Sequence, residues 1–265
     1  MPLNEQDPKM LRLRKIIAIL QERNGSSVRD LARELGVSEM TIRRDFEYLS
    51  HTNAIKRVHG AVIYNPDFSP SELTEPEDDP FLRQGQTPQS HRFGAALAEL
   101  IEPQDMIFID CGELAAGMAQ ALPANLEYDI FTYSTAVFER ATSCGNRGQL
   151  FLVGGTYHPD RCMCESDLSP NILRQFRFSK VFLFPDGIHS EFGITCANLY
   201  EVPSKKAVLA SSLKTIIVAE SDRFETVSKN YIADLKSASM VVTDSGLSGF
   251  WKTHLRNMGI EVLYV

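Results

Sequence analysis

Two adjacent arginines, Arg43 and Arg44, lie in a segment whose residue types and spacing favour DNA binding. Gly36 supplies a turn ahead of the segment, and the Ser38 hydroxyl can accept a hydrogen bond from an unpaired amide of a first helical turn. Arginine can bond guanine edges in a bidentate manner or bind phosphates. Helical spacing separates a buried face, Ile42, Phe46 and Leu49, from an exposed face, Glu39, Met40, Thr41, Arg43 and Arg44.

Two further helices are predicted ahead of this segment. Each carries an apolar stripe at helical spacing, and the second follows the pattern i, i+3, i+4, i+7. A turn of three residues then separates the second helix from the third, as a helix-turn-helix requires. The stripes are Leu13, Ile16, Ile17 and Leu20, then Val28, Leu31, Ala32 and Leu35.

The segment 55–64 is predicted to form a β-hairpin wing, because its apolar and polar residues partly alternate around Gly60. Its basic side chains would lie near a DNA backbone or minor groove. Arg43 and Arg44 alone are compatible with an ordinary solvated helix face, but three ordered helices followed by a basic wing favour DNA. We therefore predict a winged helix-turn-helix domain over residues 1–64. The predicted DNA contacts are Ser38, Met40, Thr41, Arg43, Arg44, Lys56, Arg57 and His59.

The composition is that of an ordinary globular protein, with 43% hydrophobic and 23% charged residues in 265. This length is enough for two domains. No apolar run is long enough to span a bilayer, and the first seven residues do not resemble a secretory signal. Five cysteines are an odd count, which is simplest to explain as reduced thiols. We expect a cytoplasmic protein with no membrane partner.

The net charge of −7 is unevenly distributed. Residues 1–60 hold 11 Lys or Arg against 8 Asp or Glu, whereas the remaining residues hold 16 against 26. The acidic remainder would limit non-specific adhesion to DNA. A weakly basic DNA-binding domain predicts weak binding by one copy, so we expect a homo-oligomer, a dimer or higher, to bind DNA.

Residues 65–80 are predicted to be an extended linker. Four prolines interrupt the segment and six carboxylates make it acidic, so it cannot bury much surface. Residues 81–265 then form the predicted second domain. The linker residues behind this prediction are Pro66, Asp67, Pro70, Glu72, Glu75, Pro76, Glu77, Asp78, Asp79 and Pro80.

The second domain alternates short apolar runs with helical stretches. Most runs are continuous rather than alternating, as buried parallel strands are. The alternation predicts an α/β, Rossmann-like domain with a mostly parallel sheet. Helices are predicted over about 90–101, Val202–Leu213 and Leu247–Met258, and strands over Met106–Ile109, Ile130–Tyr133, Leu150–Val153, Val181–Phe184, Thr215–Val218, Met240–Thr243 and Glu261–Tyr264.

Small and polar residues follow five of these strands. Ligands of open α/β sheets bind beyond the carboxyl ends of the strands, and helix N-termini there favour anions. Each loop alone is compatible with ordinary turn chemistry, so the five together motivate a ligand pocket. The loops are 110–113, 134–135, 154–155, 186–187 and 220–223.

The chain resembles the DeoR-type bacterial transcriptional regulators over nearly its whole length. The resemblance implies a winged helix-turn-helix followed by a sensor domain similar to ribose-5-phosphate isomerase, which binds a phosphorylated sugar or related metabolite and then commonly releases DNA. The matching segments are Val28–Asp45, Arg57–Ala61, Phe81, Arg83, Ala95–Ile101, Phe108–Gly112, Thr132–Ser134, Gly154–Gly155, Asp186–Ile188 and Gly193–Cys196, followed by Glu201 and Lys205.

Some positions depart from the pattern of that family. Gly112 is followed by Glu113, where the family usually has hydroxyl residues, and a carboxylate there should repel a phosphate. A sugar phosphate and a non-phosphorylated metabolite therefore both stay open, and Glu113 can equally point into solvent. We expect Lys205 to share a helix face with Glu201. The predicted effector-binding residues are Asp110, Gly112, Glu113, Ser134, Gly154, Gly155, Asp186, Glu201, Lys205 and Arg223.

We predict a sequence-specific DNA-binding regulator, a repressor of carbohydrate or nucleoside catabolic genes that a small metabolite releases from double-stranded DNA. An isomerase-like enzyme is an alternative, with acid–base groups from Asp110, Asp186, Glu201 and Lys205. The attached DNA-binding domain argues against it, so no catalytic residues and no cofactor are expected. His158, Cys162 and Cys164 raise a second alternative, a metal sensor, but their spacing fits no strong zinc pattern and we expect no metal.

Overall fold

The computed structural model describes residues 8–23, 25–39, 41–42, 45–46, 49, 54–58, 61–66, 68 and 84–265. The chain divides into two compact units, residues 1–82 and residues 83–265, which we call the N-terminal unit and the C-terminal unit. Within the described residues, no helix is long and apolar enough to cross a membrane.

Helices open the N-terminal unit: α1 spans Pro8–Arg23 and α2 spans Val28–Leu35. Ser27 caps the start of α2, and Gly36 ends the helix in the left-handed conformation with φ of 67°. The described residues from 39 to 49 are helical, and the Ser38 hydroxyl accepts from the Thr41 amide at 3.1 Å. The predicted turn and helix cap are therefore confirmed.

The apolar faces of these helices meet in one core. Leu13, Ile16, Ile17 and Leu20 of α1 are buried, as the sequence predicted, and Leu31 and Ala32 of α2 join them. The predicted inner face of the following helix, Ile42, Phe46 and Leu49, is at most 2% exposed.

The predicted hairpin closes the N-terminal unit. Strand β1 (Ile55–Val58) pairs antiparallel with β2 (Ala61–Tyr64), and Ser26 bridges to Val62. The core continues past this hairpin to Phe68, which is 6% exposed and whose carbonyl accepts from the Tyr64 hydroxyl. Phe68 lies within the predicted linker, most of which falls outside the described residues.

A seven-stranded, entirely parallel sheet forms the centre of the C-terminal unit. All seven predicted strands are present, because continuous apolar runs suit a sheet covered on both faces. The strands are β3 (Met106–Ile109), β4 (Asp129–Thr132), β5 (Leu150–Leu152), β8 (Phe178–Leu183), β11 (Ser212–Val218), β13 (Met240–Thr243) and β14 (Glu261–Tyr264), in the spatial order β14-β13-β11-β8-β3-β4-β5.

Two small antiparallel elements were not predicted. Strands β6 (Thr156–His158) and β7 (Met163–Glu165) form a hairpin, and β9 (Gly187–His189), β10 (Gly193–Cys196) and β12 (Asn230–Ala233) form a sheet in the order β12-β10-β9. Their short strands lack the apolar runs that mark the central sheet, so neither period nor composition distinguishes them from loops.

Six helices of the C-terminal unit connect these strands: α3 (Pro88–Ala98), α4 (Glu113–Gln120), α5 (Thr135–Ala141), α6 (Ser169–Leu173), α7 (Val202–Ala210) and α8 (Gly249–Asn257). The prediction that a helix runs from Val202 to Leu213 was wrong at its end, since β11 already begins at Ser212. The other two predicted helices differ from α3 and α8 by one to three residues at each end, where caps rather than periodicity set the boundary.

Helices α3 and α4 cross at two glycines. A Cβ atom on Gly94 would lie 2.4 Å from the Gly117 carbonyl oxygen, and one on Gly117 would lie 2.5 Å from the Ser90 carbonyl oxygen. Neither distance is compatible with a side chain. This close packing holds the middle of α4 against α3.

Candidate functional site

The predicted DNA-reading face lies partly within the described residues. Ser38 is exposed and Thr41 is half-buried, with their hydroxyl oxygens 2.9 Å apart. Lys56 is exposed on β1, as predicted for the wing, and Arg57 lies on the same strand. The side chain of Arg57 and the residues Met40, Arg43, Arg44 and His59 lie outside what the structure describes.

A buried ion pair ties this helical segment to α1. Asp45 is 1% exposed, and its two carboxylate oxygens accept from the Arg12 guanidinium at 2.6 Å and 3.0 Å. Such bidentate pairing fixes orientation as well as distance. Sequence analysis missed this contact, although an Asp on the apolar face between Ile42 and Phe46 signals a buried partner.

Three of the predicted effector residues form a fully buried charge cluster in the C-terminal unit. Asp110 follows β3, Glu201 ends a 3₁₀ turn (Leu199–Glu201), and Lys205 lies on α7. Each is 0% exposed. The Lys205 ammonium lies 2.5 Å from Asp110 and 3.2 Å from Glu201, one helical turn away as predicted. Lys205 is therefore paired inside the protein.

The hydrogen bonds of Asp110 complete the cluster. One carboxylate oxygen accepts from the Tyr133 hydroxyl, and the other accepts from the Phe184 amide at 2.9 Å. Burial alone would raise the pKa of Asp110, but Lys205, Tyr133 and the Phe184 amide outweigh burial and hold that pKa below its ordinary value. Likewise, burial would lower the pKa of Lys205, but Asp110 and Glu201 hold it above its ordinary value.

An arginine that sequence analysis missed covers this cluster. Arg161, in the turn between β6 and β7, lies 3.3 Å from Asp186 and 3.3 Å from Glu201, and its side chain is 21% exposed. No sequence signal marked Arg161, since the hairpin that carries it was not predicted. The structure thus brings together Asp110, Asp186, Glu201 and Lys205 from the predicted site and adds Tyr133 and Arg161.

Glu113 and Arg223 lie apart from the cluster in their described contacts. The Glu113 carboxylate accepts from the Thr87 hydroxyl at 3.0 Å and from the Thr87 amide at 3.3 Å, at the start of α3. Arg223 lies in a 3₁₀ turn with Asp222 at 3.7 Å as its described ion-pair neighbour.

Four other predicted residues shape the loops at the strand ends. Gly112 precedes α4 with φ of 117°, which a side chain would disfavour. Ser134 is buried and caps α5 by accepting from the Val137 amide. Gly154 and Gly155 join β5 to β6, and a Cβ on Gly155 would lie 2.1 Å from the Glu165 carbonyl oxygen. These residues set the backbone course around the cluster.

A separate surface cleft of about 320 Å³ lies beyond the ends of β11, β13 and β14. Glu220 lies in the wall of this cleft. Its pKa is raised by burial, which is the larger effect, and by the neighbouring carboxylate of Asp222. The lining of the cleft is largely polar, with three acidic residues and one basic residue: Gln89, Arg92, Glu220, Ser221, Asp222, Asp244, Ser245 and Val265. Part of it comes from the predicted loop 220–223.

The residues of the metal-sensor alternative have other partners. His158 pairs with Glu165 at 3.2 Å and stacks on Tyr200 with ring centroids 3.7 Å apart. Cys162 and Cys164 are buried. Among the described residues, no group of three His, Cys, Asp or Glu side chains is arranged to hold a metal ion.

Together these features define a class: a winged helix-turn-helix DNA-binding protein with an α/β domain that carries a charged cluster at the ends of parallel strands. A DeoR-like helix-turn-helix domain matches residues 12–67, and a DeoR C-terminal sensor domain matches residues 86–245. The chain belongs to the DeoR family of transcriptional regulators.

Named relatives align over most of the chain. The deoxyribose operon repressor of Escherichia coli K12 is 25% identical over 256 residues, covering 96% of this chain and 97% of the relative. A putative aga operon transcriptional repressor of Escherichia coli O157:H7 is 25% identical, covering 96% and 93%. The lactose phosphotransferase system repressor of Staphylococcus epidermidis is 24% identical, covering 88% and 91%. The family and these relatives are regulators, so the enzyme alternative has no support.

Solved structures show weaker similarity. Ribose 5-phosphate isomerase A of Methanocaldococcus jannaschii matches with a TM-score of 0.36 and 11% identity, covering 51% of this chain and 53% of that one. The sorbitol operon regulator SorC of Klebsiella pneumoniae matches with a TM-score of 0.35 and 11% identity, covering 97% of both chains.

Proposed function

We propose that this regulator is a repressor of carbohydrate or nucleoside catabolic genes, released from operator DNA by a small metabolite. The observation that carries the proposal is the pairing of two sites on one chain. The N-terminal unit presents an exposed helix start at Ser38, and the C-terminal unit holds the charge cluster of Asp110, Glu201 and Lys205. Its relatives include repressors of sugar operons, which agrees with the proposal.

Operator recognition is assigned to the helix that Ser38 caps and to the wing. Ile42, Phe46 and Leu49 occupy the buried side of this helix. By sequence spacing, Met40, Thr41, Arg43 and Arg44 are predicted to share the other side. Lys56, Arg57 and His59 of the wing are assigned to the phosphate backbone or minor groove.

The test uses a duplex operator selected from a random library by the full chain. Arg43→Ala and Arg44→Ala should each weaken operator binding by roughly 1–3 kcal/mol in anisotropy titrations at fixed salt. Lys15→Ala, which removes an exposed cation from α1, is the matched control and should change affinity little. Equal affinity of the double arginine variant and the wild type would refute the assignment.

The effector is proposed to be a polyhydroxylated metabolite that binds at the strand ends around Asp110, Gly112, Ser134, Gly155, Asp186 and Glu201. Carboxylates there can accept hydrogen bonds from ligand hydroxyls. Three carboxylates, from Asp110, Asp186 and Glu201, face two cations, from Arg161 and Lys205. This excess of negative charge disfavours a phosphate close to the cluster, although the sugar-phosphate alternative is retained.

Calorimetric titration with 2-deoxyribose and with 2-deoxyribose 5-phosphate separates the two ligand classes. Glu113→Thr should raise affinity for the phosphate if phosphate binds at the start of α4, because it removes a carboxylate there. Glu113→Gln is the matched control for size, since it keeps an oxygen that can accept from Thr87. Phosphate binding that neither variant changes would place Glu113 outside the site.

We also propose that a cytoplasmic homo-oligomer is the DNA-binding form. The first 60 residues carry few excess cations, so one copy neutralises few phosphates. A two-site operator should therefore be bound far more tightly than one half-site by the same full chain. Light scattering of the free protein gives the assembly state, and equal affinity for one and two half-sites would contradict the proposal.

A further inference from the structure

The turn of the β6–β7 hairpin lies over the charge cluster. Strand β7 is anchored to the central sheet, since the Cys164 amide donates to the Tyr133 carbonyl and the Thr135 amide donates to the Cys162 carbonyl, both at 2.8 Å. Residues 159–161, which we call the hairpin tip, form the turn between the paired strands and precede these anchors. The hairpin is therefore fixed along one strand.

Side chains join the hairpin tip to the 3₁₀ turn Leu199–Glu201. The Tyr200 hydroxyl donates to the Asp160 carboxylate at 3.0 Å, and the Tyr200 ring stacks on His158, the last residue of β6, with an interplanar angle of 7°. Arg161 reaches Glu201 in the same turn. Contacts of this kind can break without disrupting a strand ladder, so the tip can separate while β7 stays in place.

Arg161 is held less well than the lysine beneath it. Both of its ion-pair distances are 3.3 Å, and its buried Nε atom has no hydrogen-bond partner in the described structure. Lys205, in contrast, contacts Asp110 at 2.5 Å. Arg161 therefore makes one long hydrogen bond, to Asp186, and one contact with Glu201 that lacks hydrogen-bond geometry, which is a weaker fastening than the short Lys205–Asp110 pair.

Arg161 also blocks access to the cluster. Glu201 and Lys205 are 0% exposed, and the Arg161 guanidinium contacts the same Glu201 carboxylate that contacts Lys205. A ligand hydroxyl that bonds Glu201 must first displace the guanidinium. We propose that the hairpin tip is a lid, fastened by Arg161 and by the Tyr200–Asp160 hydrogen bond, that opens to admit a polyhydroxylated ligand to Glu201 and Asp186.

The lid would control access to the effector site proposed above, so this inference rests on the proposed function. Its test needs no ligand, because two buried thiols report opening. The Cys162 sulfur lies 3.5 Å from the Pro159 carbonyl oxygen within the tip, and the Cys111 sulfur lies 3.9 Å from Glu201. Both residues are at most 1% exposed, whereas Cys144 is half-buried elsewhere and serves as the internal reference.

The experiment measures alkylation of each thiol by N-ethylmaleimide in the full chain, followed by mass spectrometry. Tyr200→Phe removes only the hydroxyl that donates to Asp160. It should raise the labelling rates of Cys162 and Cys111 about fivefold relative to Cys144, the change that corresponds to about 1 kcal/mol for one hydrogen bond.

Tyr231→Phe is the matched control. Its hydroxyl also donates to a nearby carboxylate, that of Asp234 at 2.8 Å, but on the antiparallel sheet. Labelling of Cys162 and Cys111 should be unchanged in this variant. Asp160→Ala should match Tyr200→Phe, and the double variant should label no faster than either single one, because both remove the same hydrogen bond.

The lid proposal would be overturned if Cys162 and Cys111 were labelled in Tyr200→Phe and Asp160→Ala at the same rate as in the wild type. A parallel rise at Cys144 would also overturn it, since that pattern means general loosening. Neither result touches the ligand-site proposal, which calorimetry tests separately. Selective labelling in the two variants, absent from Tyr231→Phe, is the expected result.

Discussion

Replacement of Lys205 by methionine is expected to destabilise the C-terminal unit by about 3–5 kcal/mol. Methionine preserves much of the side-chain volume but leaves Asp110 and Glu201 buried without their shared cation. Asp110 retains Tyr133 and the Phe184 amide as donors, and Glu201 retains Arg161 and Asn198. The cost therefore comes from uncompensated buried charge more than from lost packing.

A second variant separates charge from packing. Lys205→Met combined with Asp110→Asn removes one positive and one negative charge, so the net charge of the cluster stays that of the wild type. It should recover at least about 1 kcal/mol of the loss, because a neutral amide is cheaper to bury than an unpaired carboxylate. Lys206→Met is the control, since Lys206 is exposed and lies 5.5 Å from the Tyr231 ring; it should cost less than about 1 kcal/mol.

Urea unfolding followed by tryptophan fluorescence measures these changes. Trp251 is the single tryptophan of the chain and is 1% exposed in the C-terminal unit, so its signal reports that unit alone. The electrostatic reasoning would be refuted if Lys205→Met were at least as stable as Lys206→Met. It would also be refuted if Lys205→Met combined with Asp110→Asn were less stable than Lys205→Met alone.

The stability lost in Lys205→Met should depend on pH, and the sign of this dependence follows from the pKa of Asp110. In the wild type the pKa of Asp110 lies below its ordinary value, so its contribution is complete above the unfolded pKa of about 3.9 and is lost as pH falls through the folded value. Without Lys205, the burial of Asp110 raises its pKa with less opposition. The deficit of Lys205→Met should therefore shrink as the pH is lowered from about 7 to about 5, because a buried carboxyl takes up a proton.

Three further substitutions test the packing that positions the sites. Gly94→Ala should destabilise the C-terminal unit by about 1–3 kcal/mol in the Trp251 assay, because its Cβ would meet the backbone of α4, whereas Gly249→Ala, with nothing within 4 Å, should not destabilise it. Leu31→Ala should cost the N-terminal unit about 2–5 kcal/mol and abolish operator binding while the Trp251 transition stays in place. Ser38→Ala should cost about 1 kcal/mol in operator binding through loss of the helix cap, and wild-type affinity would contradict this role.

The sequence predicted those elements whose pattern is set by burial alone. The central strands are apolar because helices cover both faces of their sheet, and the first three helices show stripes because one side of each meets the core. Helix ends were predicted less well, since Ser248 sets the start of α8 through its hydroxyl, which periodicity does not show. The hairpin β6–β7 has three-residue strands, too short to carry a period.

The candidate site could be predicted in part, because the carboxyl ends of parallel strands lie together at one edge of the sheet. Asp110 and Asp186 were identified from their positions after strands, and Glu201 and Lys205 from the family resemblance and their spacing of one helical turn; the structure brings the four together. The burial of Lys205 could not be predicted, because it depends on two carboxylates from separate elements. Tyr133 was missed because its partner Asp110 lies far away in sequence, and Arg161 because the hairpin that carries it was not predicted.

The contact between Tyr64 and Phe68 determines where this protein can be recombined with its relatives. The last strand of the N-terminal unit ends at Tyr64, but its hydroxyl donates to the Phe68 carbonyl and the Phe68 ring lies in the core of that unit. A chimaera joined directly after the hairpin would remove Phe68, the last apolar side chain of this core among the residues that the structure describes. The interchangeable DNA-binding module therefore extends at least through Phe68, and exchange of operator specificity between regulators should respect that boundary.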